Sequence, residues 1–416
     1  MASVRNVRMA KANTVNKPKK KSTRTPKALK KKITECIKVI DTILTEVNSK
    51  VVQRNRILTF YDILYILIQK IGNDMSYQLA MQQLKVNGID KDFKPQAVID
   101  RRKKIDLETF NSLNDSLVNL IYTDTNERWL AVDGTHVLAD YLLSPEMKLG
   151  QNGLYCTTLV SGIIDVMTGV VINLQSYPEN GDERQAFTEQ EKYIRKGDVI
   201  ITDRGYFSDD YLSFVTNLEA RVICRIKENS RYAQLLGDRD HIVHSEIING
   251  KPIKMRIMKY TIGTSTFHIL TTVMDKPESF FQDMYHRRWN IETYFRYAKY
   301  DLSLKDLPSK TIENIKQDIA IHTFISTFVA YMEYLLKDLV KEGYKINKKG
   351  ANHIVINNIF YLILYRRQYK CTIKKILKLL IIIVDTLVAV VPDRHYERIR
   401  VKPRQQNFWS KERKKV

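Results

Sequence analysis

The sequence predicts an α/β protein in which a mixed β-sheet stands between two helical regions. Three observations predict it. From 33 to 122, and again beyond 311, apolar residues recur at i, i+3 and i+4, as on a helix with one buried face. Near residue 127 the pattern shortens to runs of β-branched residues bounded by turn residues. Through residue 226 the elements then follow β-β-β-α-β-α-β, an order that lets the first and fourth strands lie side by side.

Each element has its own warrant. "YDILYILIQKI", "MSYQLAMQQLKV" and "RRKKIDLETFNSLNDSLVNLI" carry the helical spacing, with a break at Phe93, Lys94 and Pro95. "ERWLAVDGTHV" reads as a short strand that Gly134 ends just past Asp133. "GLYCTTLVSGIIDVMTGVVINLQSYP" reads as two strands around a turn containing Asp165. "DERQAFTEQEKYIRK" is an amphipathic helix, "GDVIITDRGYF" a buried strand interrupted at Asp203, "SDDYLSFVTNLEA" a helix and "RVICRIK" a strand. Residues 229–276 break the alternation: Asn-Gly and Ile-Gly turns among β-branched residues predict an antiparallel insertion. A helix follows at about 278–301, then apolar helices at 311–341, 354–367 and 372–390.

Charge bounds the function. The 416 residues hold 68 Lys and Arg against 46 Asp and Glu, a net +22. Twelve basic residues and no acid fall in 1–32, and nine against three acids fall in 391–416. Such ends suit a polyanion, most commonly nucleic acid. The first is polar enough to predict a disordered basic arm (1–32), and the second a basic tail (391–416). "KPKKKSTRTPK" fits phosphate binding or, in a eukaryotic host, a nuclear address. The four cysteines, Cys36, Cys156, Cys224 and Cys371, show no metal or disulfide spacing, which predicts reduced thiols in an intracellular protein. The apolar run at 379–391 is too short for a membrane span and contains Asp385, so a buried helix is expected.

The chemistry concentrates in "YHRRWNIETYFRYAK" (285–299). At about 100° per residue, Tyr285, Arg288, Glu292 and Lys299 fall within a stripe of roughly 60°. Met284, Ile291, Phe295 and Ala298 form the buried stripe beside it. Asp133 and Asp203 each end a strand, and neighbouring strands would bring both to one sheet edge with the Glu292 helix laid across it. Hard divalent cations prefer such oxygen ligands. Arg288 offers a phosphate a fixed fork, Lys299 a point charge and Tyr285 a hydrogen bond. The plainer alternatives are turn or cap aspartates and a surface glutamate with basic neighbours. Arg204 suits a DNA contact or a salt bridge, and His136 a satisfied polar contact. Glu183 and Arg184 open a helix, where an acid caps favourably, and receive no catalytic role.

Tyr-x2-Arg-x3-Glu-x6-Lys, matched at every position, resembles the signature of the insertion-sequence DDE transposases of the fourth group. "DGTHV" and "ITDRGYF" look like that family's two catalytic Asp motifs. "QAVIDRRKKIDLETFNSL" is similar to the segment before its catalytic core, and the likeness spans about 55–405. The resemblance implies an RNase H-like domain at 123–310, a mixed five-stranded sheet with flanking helices and a β insertion at about 229–276. A helical DNA-binding region (33–122) would precede it and C-terminal helices (311–390) follow. It further implies Asp133, Asp203 and Glu292 as ligands of two Mg²⁺ or Mn²⁺ ions, and Tyr285, Arg288 and Lys299 as phosphate contacts.

Members that form a DNA hairpin hold a flipped base on aromatics, one of them in the insertion. This insertion has no Trp; Tyr232, Tyr260 and Phe267 stand there, while Trp289 lies on the signature helix. The implied function is cleavage of double-stranded DNA at element terminal repeats and strand transfer into target DNA, by a homodimer in a synaptic complex. No membrane is involved, and the expected location is cytoplasm and nucleoid, or a eukaryotic nucleus. The rivals are a nuclease that joins nothing and a catalytically retired DNA-binding protein.

Overall fold

The computed structural model describes residues 27–51, 58–122, 127–139, 156–178, 181–262, 265–305, 307 and 309–390. Helix α1 (Lys27–Val51) begins inside the stretch expected to be a disordered arm. Leu29, Ile33, Cys36, Ile37, Ile40 and Leu44 recur at helical spacing and are buried, so residues 27–32 fold with the helix they open. The rest of that arm, and the basic tail, lie outside the described residues.

α2 (Phe60–Gly72), α3 (Tyr77–Val86), α4 (Pro95–Arg102) and α5 (Leu107–Ile121) follow. Thr59 and Asp62 close a capping box on α2. Pro95 sits in the first turn of α4, where a missing N–H costs nothing.

The expected alternation is present: β1 (Trp129–Ala139), β2 (Cys156–Asp165), β3 (Val171–Pro178), α6 (Glu183–Thr188), β4 (Val199–Thr202), α7 (Asp209–Asn217) and β5 (Arg221–Ile226). Two boundaries differ. Gly134 does not end β1, which pairs with β2 on to Ala139. α6 is shorter than expected, because Gln190 turns its amide inward to bond Asn173 and Ser161.

The insertion holds α8 (Arg231–Gln234), β6 (His241–Ile248), β7 (Lys251–Ile262) and β8 (Ser265–Thr271). Asn249 and Gly250, both at positive φ, form the tight turn between β6 and β7. The expected sheet of five strands is corrected to eight. β8 pairs antiparallel with β5, giving the order β3-β2-β1-β4-β5-β8-β7-β6.

The signature segment forms two helices, α9 (Glu278–Arg287) and α10 (Trp289–Asp301). α11 (Ile312–Leu336), β9 (Tyr344–Lys345), α12 (Lys348–Asn358), α13 (Phe360–Ile363), α14 (Tyr369–Asp385) and β10 (Val388–Ala389) complete the described chain. α14 stops at Asp385, and Val388 and Ala389 pair with β9. Among the described residues one helical stretch, Ile312–Leu339, is long and apolar enough to cross a membrane, and 89% of its apolar window is buried inside the protein. Cys36, Cys224 and Cys371 are free.

Three large cores organise the described residues. One face of the sheet, with Ala131, Val160, Ile201 and Ile223, packs on α9 and α10 through Phe281 and through Met284, Ile291, Phe295 and Ala298, the last four being the stripe expected to be buried. The other face, with Leu130, Val132, Ile200 and Val222, packs on α7 through Leu212 and Val215. The third core joins α1–α5 to α11–α14, so the N- and C-terminal helices share one interior. Asn114 and Thr327 dock that helical body on β3, donating to the carbonyls of Val171 and Ile172.

Candidate active site

Strand parity aims the first carboxylate. Ala131 and Val137 project from β1 into the core under α9 and α10, and Asp133, two residues from Ala131, shares their side. β4 runs parallel to β1 with Ala131 opposite Ile201, which carries Asp203, the first residue beyond β4's end, to the level of Asp133.

The third comes from the junction of α9 and α10. There the Arg288 N–H donates to the Tyr285 carbonyl and the Ile291 N–H to the Arg288 carbonyl, each at 3.1 Å. These i, i+3 bonds tighten one turn between two α-helices, as short 3₁₀ pieces do. Tyr285 and Arg288 are buried at the joint, and Glu292 follows in the first turn of α10.

Tyr285 and Arg288 link the acids. Arg288 Nη2 lies 2.6 Å from Glu292 Oε1, and its Nη1 lies 3.6 Å from Asp133 Oδ2. Tyr285 donates its hydroxyl to Asp203 Oδ1 at 3.0 Å, and the guanidinium lies 5.8 Å from the Tyr285 ring centroid. The carboxylates thus gather around one guanidinium and one phenol. Among the described residues no group of three or more His, Cys, Asp or Glu stands ready-made to hold a metal ion. The cationic fork of Arg288 bridges the Asp133–Glu292 gap instead.

The electrostatics leave this site short of positive charge. Burial pushes the Asp133 carboxyl up to about 6; the Gly134 N–H and Arg288 pull it down, while Glu183 and Glu292 push it further up. Burial, followed by Asp203, also raises the Tyr285 phenol. Three carboxylates face a single guanidinium. Their oxygen donors, and a buried anion that holds its proton too readily, suit a hard cation.

The pKa of Asp133 has a consequence for stability. Its folded value, about 6, lies above the ordinary 3.8, so the native state holds the extra proton between those limits. Stability therefore falls as pH rises through that window, and the loss is complete above it. In metal-free protein at pH 7.5, Asp133→Asn should raise stability by on the order of 1–3 kcal/mol. Thermal unfolding in EDTA checks this, and a variant melting below wild type would contradict it.

The remaining residues divide. Lys299 lies two turns along α10, half-buried, its ammonium pKa lowered by burial and by Lys305. Lys305 is tied to the end of β1, since its carbonyl accepts from Leu138 N–H at 2.9 Å. Arg204 is exposed beside Asp203. Tyr232 is buried, with its hydroxyl donating to Asp209, and offers no free ring face. Tyr260 and Phe267 stack on each other at 5.6 Å, and Arg225 covers Phe267 at 4.7 Å. Trp289 is 46% exposed. Sequence reasoning set Glu183 aside, yet its carboxylate lies against Gly134 of β1. An acid opening a helix carries no local signal that distinguishes this from capping.

A family model described as the transposase DDE domain matches residues 124–328. No curated protein matches the sequence. Among solved structures the chain is similar to the cryo-EM structure of a piggyBac transposase synaptic complex with hairpin DNA. The identity is 12% and the TM-score 0.43, over 90% of this chain and 87% of that one.

Proposed function

We propose, from the premise that the chain belongs to the DDE transposases through residues 124–328, that Asp133, Asp203 and Glu292 are its catalytic acids, cutting DNA at the ends of a mobile element and joining those ends to target DNA. One observation carries this reading. Acids from β1, the end of β4 and α10 share the single Tyr285–Arg288 joint. The Tyr-x2-Arg-x3-Glu-x6-Lys spacing supports assignment to the fourth insertion-sequence group.

DDE transposases act on DNA with divalent metal ions, and the residues present fit such ions in charge and donor type. We assign two Mg²⁺ or Mn²⁺ to Asp133, Asp203 and Glu292. Bound there, the cations supply a Lewis acid and an activated water for in-line attack at phosphorus. The chain's own residues handle the phosphate. Arg288, now paired with Glu292 through Nη2, has the fork to bind two phosphate oxygens, and Tyr285 can donate to a third. Lys299 offsets the negative charge a phosphodiester brings toward the acids, and Arg204 contacts the backbone at the rim. Water breaks the P–O3′ bond at the element end, and the freed 3′-hydroxyl then attacks a target phosphate at the same acids, breaking that phosphate's own P–O3′ bond and releasing a target 3′-hydroxyl.

The partner is double-stranded DNA, gripped largely through phosphates by the helical region and the basic ends, so affinity should fall steeply with salt. Two copies would hold two element ends in a synaptic dimer. The test incubates the full chain, Mg²⁺, a target plasmid and labelled duplexes bearing the inverted repeats that flank its gene. Strand-transfer products are expected. Cleavage without joined product would reassign the protein as a nuclease, and no cleavage with Mg²⁺ or Mn²⁺ would end the enzymatic reading.

A further inference from the structure

Gly134 continues a strand it was expected to end, and its φ is not positive. The reason for a glycine is space. A Cβ there would stand 2.7 Å from Glu183 Oε1 and 2.9 Å from Cδ of the same carboxyl group, with Leu159 Cδ1 at 3.0 Å. The missing side chain lets an acid from the start of α6 lie directly on β1 beside Asp133. Helix capping does not require this approach, because Asp182 already caps α6 by accepting from Arg184 N–H at 2.8 Å.

A second observation points to a ligand at the same place. Tyr206, three residues beyond Asp203, is 2% exposed. Its hydroxyl is set against the Glu183 carboxylate and lies within range of the Asp133 charge, yet it meets no group among the described residues in full hydrogen-bond geometry. A buried hydroxyl left without a partner is costly, and water or a water-bearing ion commonly satisfies it.

We infer that Glu183 is a fourth carboxylate of the cation site, and that it and Tyr206 hold the water shell of a divalent ion beside Asp133. Mg²⁺ and Mn²⁺ suit this arrangement, because Mg²⁺ keeps several waters when it takes only one or two carboxylates directly. Glu183 and Tyr206 act through those waters, as positioning residues for the ion. The inference rests on the proposed function, whose three acids define the site.

Mn²⁺ binding to the full chain, read by the loss of the free-ion EPR signal without DNA or turnover, provides the test. Glu183→Gln should weaken Mn²⁺ affinity about tenfold, the lower end of what losing an outer partner costs a metal site. Gly134→Ala should weaken it similarly by displacing the Glu183 carboxylate while keeping its charge, and Tyr206→Phe should weaken it less. Glu189→Gln, an exposed acid at the other end of α6, serves as the control. Asp203→Asn separates this inference from its premise. Loss of Mn²⁺ binding in Asp203→Asn, with wild-type affinity in a folded Glu183→Gln or Gly134→Ala, would overturn the role of Glu183 alone. Wild-type affinity in Asp203→Asn as well would overturn the three-acid site.

Discussion

Asp203→Ala should reduce Mg²⁺-dependent cleavage by about a hundred- to a thousandfold, while leaving DNA binding within about twofold. The first half follows from charge. Removing one of three acids from a site already bridged by a guanidinium weakens cation binding and the in-line geometry together, and single electrostatic contributions of this kind are commonly worth 10²–10³ in rate. The second half follows from position. β4 is fully buried through Val199, Ile200, Ile201 and Thr202, and the Asp203 carbonyl still accepts from Tyr206 N–H at 3.1 Å, so the backbone survives the change. Tyr285 loses its acceptor, which costs about 1 kcal/mol. Phosphate contacts that dominate affinity lie on basic side chains untouched by the substitution. A labelled-duplex cleavage gel and a filter-binding titration at two salt concentrations measure the two halves. Cleavage by Asp203→Ala at the wild-type rate would remove Asp203 from the site.

The strand order around that carboxylate was legible because each strand advertises itself locally. Runs such as "VIIT" and "RVICRI" need no partner to be recognised. What was not legible depends on non-local partners. β8 looks the same whether its insertion folds apart or, as here, hydrogen-bonds to β5 with Ile223 opposite Thr271. Gly134 reads as a stop signal, and only the approach of Glu183 from some 50 positions away explains it as a gap. The buried stripe of the 278–301 segment, Met284, Ile291, Phe295 and Ala298, was legible, but the tight turn that splits the expected single helix at Arg288 has no Pro or Gly to announce it. Burial of Arg288 against Glu292 and Asp133 accompanies that turn. Of the candidate site, the helix motif was readable from spacing. The aspartates, 70 residues apart, acquired meaning only through parallel pairing of their strands.

Arg102→Met should destabilise the protein by about 3–5 kcal/mol, although it lies in the helical body and touches none of the acids. Arg102 and Asp318 are both essentially inaccessible to solvent, with Nη2 2.7 Å from Oδ1. The same guanidinium donates to Gln317, to the Tyr77 hydroxyl and to the Asn314 carbonyl, while Ser309 donates to the other Asp318 oxygen. One residue of α4 is thereby bonded to three positions of α11, which is how the N-terminal helices hold the long central one. Methionine fills most of the volume but leaves Asp318 charged and buried. No neighbour replaces the guanidinium in full. Burial pushes the His322 pKa down to about 4, so that imidazole stays neutral at pH 7. Lys70 is also buried, its pKa lowered by burial; its ammonium makes no hydrogen bond among the described residues and offers only partial compensation. The pairing argument makes a sharper statement than the single variant. Adding Asp318→Leu to Arg102→Met should recover at least half of the loss, because a well-packed apolar pair often matches a buried ion pair. Urea unfolding of the single and double variants measures both. A single-variant cost below about 1 kcal/mol, or a double variant less stable than the single, would mean that apolar packing and the bonds from the Gln317 amide to the Arg102 and Ile105 carbonyls, rather than charge pairing, hold α4 against α11.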